Sequence, residues 1–319
     1  MSPSDPAVEP LDAAIETLLK APQFRTLPPW HSLAVESART LEDDVFGGEP
    51  TTLIPDVIDT AVRGPEAEVP IRIYRGRESA DLPIVVFCHG GGWTLGTLDS
   101  ADDICRELAH RIGCLVLSVD YRLAPEQPFP AGLIDAVAVL EWAQEYGDSI
   151  GGDPTRLAVA GTSAGGNLAT ALARWDRDHG SGGVGQQLLC YPIVDDDFER
   201  DSYRDHGEGP LLTRADMEWF WSQYVRHPID RENPYVCPLR GPSLGGLPPA
   251  VVVTCGHDPL RDEGIAYARA LESAGVDVVH QHHPRLPHGG LSLTEEVERA
   301  DRAMDALAGV VADRFERLT

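Results

Sequence analysis

The residue best placed to do chemistry is Ser163, at the centre of the sequence GTSAG at positions 161–165. It follows directly on the apolar run at 157–160 and precedes a predicted helix, which is the strand–turn–helix context that gives a Gly-x-Ser-x-Gly pattern its meaning. Such a turn holds the serine hydroxyl clear of the sheet, and the following helix directs its positive N-terminal end at developing negative charge. The pattern therefore predicts a nucleophilic serine.

A glycine-rich loop, HGGGW at 89–93, follows the apolar run at 84–88. Such a loop exposes backbone N–H groups that can stabilise the oxyanion of acyl transfer, and each donor is worth about 3–4 kcal/mol. A phosphate-binding loop is the alternative, but it needs a nearby lysine, and Lys20 is the only lysine in the chain. The loop and the serine turn, in this order and each after a strand, predict a serine hydrolase.

An acid and a base are then expected further along the chain, at strand ends. Asp258 follows the apolar run at 250–255, and His288 follows the next predicted strand. Asp262 and Glu263 are rivals for the acid, but they are predicted to begin the next helix, whose first turn favours carboxylates. We therefore predict that Asp258 and His288 complete a catalytic triad.

Other histidines close to this base raise the alternative of a metal site. His280 and His282 would share one face of a strand, as two metal ligands can. Residues 279–287 contain no Asp, Glu or Cys that would complete the site. We therefore expect surface or packed histidines and no bound metal.

Short apolar runs alternate with longer amphipathic segments through most of the chain. The predicted strands are at 84–88, 114–119, 157–160, 188–194, 250–255 and 276–280. The predicted helices are at 100–112, 132–146, 164–178, 262–274 and 293–315. This alternation predicts an α/β fold with right-handed crossovers and a mostly parallel central sheet flanked by helices. Segments near 57–62 and 71–74 are expected to add antiparallel edge strands.

Two segments depart from the alternation, and we expect them to form a helical cap over the carboxyl ends of the strands, where ligands bind in parallel sheets. One is an N-terminal cap segment at 1–50. The other is an insertion at about 195–235 within a catalytic domain that spans 51–319. The residues expected to line the substrate pocket are Trp93, Trp219, Phe220, Trp221 and Tyr224. The three consecutive aromatics at 219–221 cover most directions around a helix, so at least one of them must pack inside.

Composition bounds the possible partners and the location. Fifty-one acidic residues face 26 basic ones, for a formal net charge of −25, and such a surface repels nucleic acid and anionic membranes. The chain has no apolar stretch of about 20 residues and no signal-peptide pattern at its start. We expect a cytoplasmic protein in which the six cysteines are free and mostly buried thiols.

Together these motifs resemble the hormone-sensitive-lipase-like family of α/β-hydrolases, the bacterial esterases that carry an HGGG box and a GTSAG-type serine turn. DYRLAPE at 120–126, FPA at 129–131, DPLRDEG at 258–264 and PHG at 287–289 add to the resemblance. It extends from about Val69 to the C-terminus. The resemblance implies the α/β-hydrolase fold, with Ser163 as nucleophile, His288 as base and Asp258 as the acid that orients the base.

The resemblance also assigns roles around the serine. It implies an oxyanion hole made by the backbone N–H groups of Gly91, Gly92 and Ala164, and a bracing role for His89. Two other positions depart from the family pattern: Thr162 stands where many relatives have an acidic residue, and Gly290 stands where an aromatic is common. Neither departure removes a catalytic group.

The DYRLAPE segment contains three charged side chains near the site. Asp120, Arg122 and Glu126 are expected to make buried ionic contacts and not to act on the substrate.

The predicted activity is the hydrolysis of short-chain carboxylic esters through an acyl-enzyme, with a small-molecule ester as partner and no cofactor. A lipase, or an amidase or deacetylase with the same triad, is the alternative within the enzymes. Among proteins that are not enzymes, the alternative is a ligand-binding receptor on this fold, but such a receptor would not need the base His288. The sequence leaves the oligomeric state open, a homodimer included.

Overall fold

An eight-stranded sheet forms the centre of the computed structural model, which describes residues 9–48 and 51–318. The strands in chain order are β1 (Asp56–Arg63), β2 (Glu68–Arg75), β3 (Leu82–Cys88), β4 (Leu115–Val119), β5 (Gly152–Thr162), β6 (Val184–Cys190), β7 (Ala250–His257) and β8 (Val278–Pro287). Their order across the sheet is β1-β2-β4-β3-β5-β6-β7-β8. β1 and β2 pair antiparallel at one edge, and every pair from β4 to β8 is parallel. The predicted α/β architecture is confirmed.

Helices cover both faces of this sheet, which is why the central strands are largely apolar. The helices in chain order are α1 (Ala13–Leu18), α2 (Pro22–Arg25), α3 (Val35–Phe46), α4 (Asp102–Ile112), α5 (Ala131–Tyr146), α6 (Ala164–His179), α7 (Asp201–His206), α8 (Arg214–Tyr224), α9 (Arg261–Ser273) and α10 (Glu298–Arg317). α5, α6 and α9 contribute to the hydrophobic cluster on one face, and α4 and α10 contribute to the cluster on the other. Every residue of β3 and β4 is buried between these layers.

The two segments predicted to form a cap contact each other. The indole N–H of Trp30 donates a hydrogen bond to the Leu211 carbonyl (3.3 Å), and the backbone N–H of His31 donates to Asp216 (3.0 Å). α1 lies elsewhere, because Ile15 packs into the cluster on the α4 and α10 face. The N-terminal segment is therefore divided between two places. Residues 1–8 and 49–50 of the predicted cap segment lie outside the described residues.

One arginine fastens α3 to the loops that border the serine turn. Arg39 donates hydrogen bonds to the carbonyls of Thr94 (2.9 Å) and Ala124 (3.0 Å), and its two terminal nitrogens hold the Glu126 carboxylate at 3.0 and 2.8 Å. A bidentate guanidinium–carboxylate pair fixes orientation as well as distance. The packing of α3 against the glycine-rich loop is thus set by directional contacts.

The charged residues of DYRLAPE have structural partners, with one exception. Arg122 pairs with Asp135 of α5 at 2.8 Å, and Glu126 pairs with Arg39. These ionic contacts were predicted, but Glu126 is half exposed where burial was expected. Asp120 is half-buried and has no ion pair within the described residues.

All six cysteines are free and buried, as predicted. Within residues 9–48 and 51–318, no helix is both long and apolar enough to span a bilayer.

Candidate active site

Ser163 lies in the sharp turn between β5 and α6, with a φ of 54° and a ψ of −116°. A non-glycine residue in this region of backbone space is strained by about 1–3 kcal/mol, and such strain occurs most often at functional sites. The flanking glycines let the turn close: a Cβ on Gly165 would collide with the Cys88 carbonyl, and one on Gly161 would collide with the Gly165 carbonyl. The strand and helix therefore meet only because both positions lack a side chain.

The structure brings the three predicted triad residues into one hydrogen-bonded line. The Ser163 hydroxyl lies 3.0 Å from His288 Nε2, and His288 Nδ1 lies 2.9 Å from Asp258 Oδ2. Asp258 is fully buried, and its other oxygen accepts a hydrogen bond from the Leu260 backbone N–H at 2.8 Å. Asp258 follows β7 and His288 follows β8, so neighbouring parallel strands deliver the acid and the base to the same edge as the serine.

The two rival carboxylates have other partners. Asp262 accepts a hydrogen bond from the Ser202 backbone N–H at 2.7 Å, which ties α9 to α7. Glu263 is fully buried and accepts one from the Val194 backbone N–H at 2.8 Å, and its burial raises the pKa of its carboxyl. Neither contacts His288 in the described part of the chain. Both hold the segment after β6 in place.

The glycine-rich loop leaves backbone donors unused next to the serine. Gly91 and Gly92 have φ values of 96° and 60°, a region that glycine adopts without strain. Within the described residues, their N–H groups and that of Ala164 donate no hydrogen bond. The Gly91 carbonyl is occupied instead, because the N–H groups of Thr94 (3.1 Å) and Leu95 (2.8 Å) donate to it. The loop is thus held by its carbonyl while its N–H groups stay available.

His89 braces this loop as a neutral ring. Burial lowers the pKa of His89 to about 4, and its Nδ1–H donates to the Gly90 carbonyl at 2.8 Å. The ring stacks on Tyr121, with centroids 4.3 Å apart, and the Tyr121 hydroxyl donates to the His89 carbonyl at 2.9 Å. An imidazole that stays unprotonated near neutral pH adds no charge beside a developing oxyanion.

Ser163 and His288 open onto a cavity of about 260 Å³. Its wall is formed by the glycine loop, the segment after β8, α3, the start of α4, and the insertion between β6 and β7. The aromatic side chains that line it are Phe24, Trp30, Phe46, Tyr191 and Phe220. This volume is slightly below the range typical of small-molecule sites, about 300–1,000 Å³.

Only Phe220 among the five predicted pocket residues lines this cavity. Trp93 stacks on Tyr224 with centroids 4.1 Å apart and meets Trp221 edge-on at 5.0 Å, so these three form a buried cluster beneath the site. Trp219 is half-buried and does not border the cavity. The prediction was wrong for these four: α8 turns the face that bears Trp221 and Tyr224 into the core, where Trp93 packs against both, and Trp219 lies off the cavity wall.

Sequence reasoning missed part of the wall. Tyr191 follows β6 directly and meets the His288 ring edge-on at 4.8 Å, and its place at a strand end was a usable signal. Glu42 and Phe46 line the cavity from α3. With Ala38 they recur at a spacing of four residues, which places all three on one helix face and could have marked that face as buried.

The histidines considered as metal ligands share one hydroxyl on the neighbouring strand. His280 Nε2 lies 2.8 Å and His282 Nδ1 2.9 Å from Thr254 Oγ1. Burial lowers the pKa of His282 to about 4. The pair shares a strand face, as predicted, and Thr254 links it to β7.

This chain is similar to several known hydrolases. A family model described as alpha/beta hydrolase fold matches residues 85–292. The carboxylic ester hydrolase LipN of Mycobacterium tuberculosis is 45% identical over 244 residues, which are 75% of this chain and 65% of LipN, slightly less than two thirds of that relative. The ethyl acetate hydrolase of Pseudomonas putida is 37% identical over 242 residues, which are 74% of this chain and 76% of that protein.

A solved structure matches nearly the whole chain. The ester-hydrolase EH1AB1 from the metagenome of Lake Arreo, solved with a derivative of bipyridine phosphonate, superposes with a TM-score of 0.89. It is 36% identical, and the match covers 96% of this chain and 99% of that one.

Proposed function

The chain belongs to the hormone-sensitive-lipase-like esterases of the α/β-hydrolase family, and we propose that it is a serine carboxylesterase acting on short-chain esters. One observation carries the proposal: Ser163, His288 and Asp258 form a hydrogen-bonded line, and Ser163 and His288 open onto a small cavity beside unused backbone donors.

In the first half of the reaction, Ser163 Oγ attacks the ester carbonyl carbon while His288 Nε2 takes the hydroxyl proton. Asp258, held by the Leu260 N–H, keeps the Nδ1 proton of His288 in place and stabilises the imidazolium. The imidazolium then protonates the leaving alkoxide, and the alcohol departs. The acyl group stays on Ser163 as an ester.

In the second half, water attacks the acyl-enzyme carbonyl and gives its proton to His288. The tetrahedral intermediate collapses, Ser163 recovers its proton, and the carboxylic acid leaves. In both halves the N–H groups of Gly91, Gly92 and Ala164 serve as the oxyanion hole. Each donor contributes about 3–4 kcal/mol of transition-state stabilisation in sites of this kind.

The cavity supports the preference for short acyl chains. Its volume of about 260 Å³ is walled by aromatic rings from the predicted cap segments, among them Trp30 and Phe220. An acyl chain that outgrows this space leaves methylenes in water, and each CH₂ left unburied forfeits about 0.8 kcal/mol. A relative that is named for ethyl acetate, the P. putida hydrolase, adds support.

A matched series of p-nitrophenyl esters from acetyl to dodecanoyl tests the proposal. The value of kcat/KM should peak at or below about hexanoyl and fall beyond it. Ser163→Ala should lower kcat by about 10⁴-fold or more while leaving the thermal melt cooperative. Near-normal turnover by that variant would refute the nucleophile, and rising activity through dodecanoyl would favour a lipase.

Two further proposals concern the location of the enzyme and the organisation of its chain. We propose that the enzyme works in the cytoplasm, which the six free, buried thiols support. The helices of the insertion at about 195–235 and the segment that carries α3 serve as its cap.

A further inference from the structure

The cavity wall also carries acidic side chains that are not part of the triad. Three carboxylates line it, Glu42 of α3, Asp103 of α4 and Glu296, and no lysine or arginine is among the described lining residues. Asp103 and Glu296 are both exposed and form an acidic rim, and burial and repulsion from Asp102 and Glu296 raise the pKa of Asp103. The net charge of −25 extends this field over the molecule and favours the approach of cations.

Glu42 is the carboxylate that solvent cannot satisfy. Its exposure is only 9%, and its Oε2 is buried with no hydrogen-bond partner among the described residues. Burial raises the pKa of the Glu42 carboxyl. Hydrogen bonding to the carboxyl from Ser100 and from the Gly96 backbone opposes part of this rise. A buried carboxylate without a counter-ion is costly, and a cation placed next to it recovers much of that cost.

Aromatic rings share the same space. Phe46 lies one helical turn after Glu42 on α3, and Trp30 lines the cavity with its indole N–H fixed to the Leu211 carbonyl. A carboxylate among aromatic faces is the environment that binds quaternary ammonium groups, since the rings attract the cation without needing hydrogen bonds from it.

We infer that the cavity selects esters that carry an organic cation, a quaternary or tertiary ammonium group, and that Glu42 is the residue that contacts it. The inference rests on the proposed esterase function and names the substrate class of the same site. Asp103 and Glu296 at the rim attract the cation, and Glu42 holds it inside.

Two pairs of esters of equal shape test this selection, one for each side of the scissile bond. In the alcohol pair, 2-(trimethylammonio)ethyl acetate is compared with 3,3-dimethylbutyl acetate. In the acyl pair, p-nitrophenyl 4-(trimethylammonio)butanoate is compared with p-nitrophenyl 5,5-dimethylhexanoate. The wild-type enzyme should prefer the cationic member of one pair by on the order of tenfold in kcat/KM, and Glu42→Gln should remove that preference.

Glu36→Gln is the matched control, because Glu36 is exposed on the same helix and does not line the cavity. Its cationic-to-neutral ratio should stay at the wild-type value. A wild-type ratio near one in both pairs, or a ratio unchanged by Glu42→Gln, overturns the inference. If Ser163-dependent hydrolysis of the neutral esters persists in that case, the esterase proposal survives; if no ester is hydrolysed, both fail.

A measurement on the wild-type enzyme covers the case in which Glu42→Gln does not fold. Phenyltrimethylammonium and tert-butylbenzene are compared as inhibitors of p-nitrophenyl acetate hydrolysis. Inhibition by the cation at about tenfold lower concentration, weakened by added salt, supports the inference. Equal inhibition by the two overturns it.

Discussion

Replacing Glu42 by glutamine should change how the free energy of unfolding depends on pH. In the folded protein, burial raises the pKa of Glu42 to about 7, from the ordinary value of 4.5. The folded state therefore holds this proton over a pH range in which the unfolded chain has released it. The contribution of Glu42 to stability must fall as the pH rises from about 4.5 to about 7, because this carboxyl ionises more readily in the unfolded chain.

The size of the effect follows from the difference between the two pKa values. Each pKa unit is worth about 1.4 kcal/mol, so this carboxyl costs the folded state about 3 kcal/mol once the pH exceeds 7. Glutamine has the same shape and no proton to lose. Glu42→Gln should therefore gain about 3 kcal/mol relative to wild type between pH 4.5 and pH 8.

Urea denaturation of both proteins at pH 4.5, 6, 7 and 8 measures this difference. Glu36→Gln, an exposed change on the same helix, corrects for the general effect of removing one negative charge. A wild-type-to-variant difference that stays constant across the four pH values would show that Glu42 ionises as an ordinary carboxyl. The reasoning from its burial would then be wrong.

Three further changes test the site and its support. Asp258→Asn should lower kcat by about 10⁴-fold because the amide stabilises the wrong tautomer of the catalytic base, whereas Asp262→Asn should mainly lower the free energy of unfolding. A larger loss of kcat in Asp262→Asn than in Asp258→Asn, with both variants folded, would contradict the assignment. Gly92→Ala should lower kcat/KM by about 10²–10³-fold, since the new Cβ overlaps the Phe220 ring and displaces an oxyanion donor; unchanged kinetics would mean that the loop does not bind the oxyanion. Trp221→Ala should lower the free energy of unfolding, measured by urea denaturation, by about 3–5 kcal/mol and leave the acyl-length profile unchanged. A shifted profile would show that this ring contacts the substrate.

The sequence by itself determined the sheet and the candidates for the chemistry. Ser163, Asp258 and His288 each follow an apolar run, and the carboxyl ends of parallel strands meet at one edge of a sheet. Local pattern was therefore enough to predict that they converge. The role of the glycines at 91–92 could also be predicted from the sequence, because positive φ values restrict the residue type at the position itself.

Only the tertiary structure decided what surrounds these residues. Whether Phe220 or Trp221 faces the substrate depends on how α8 is rotated about its axis, and that rotation is set by its packing against Trp93, which is more than a hundred residues away in the chain. Glu42 reaches the cavity because Arg39 fixes α3 to loops distant in sequence. Local periodicity fixes which residues share a helix face, but the orientation of that face comes from side-chain packing between remote segments.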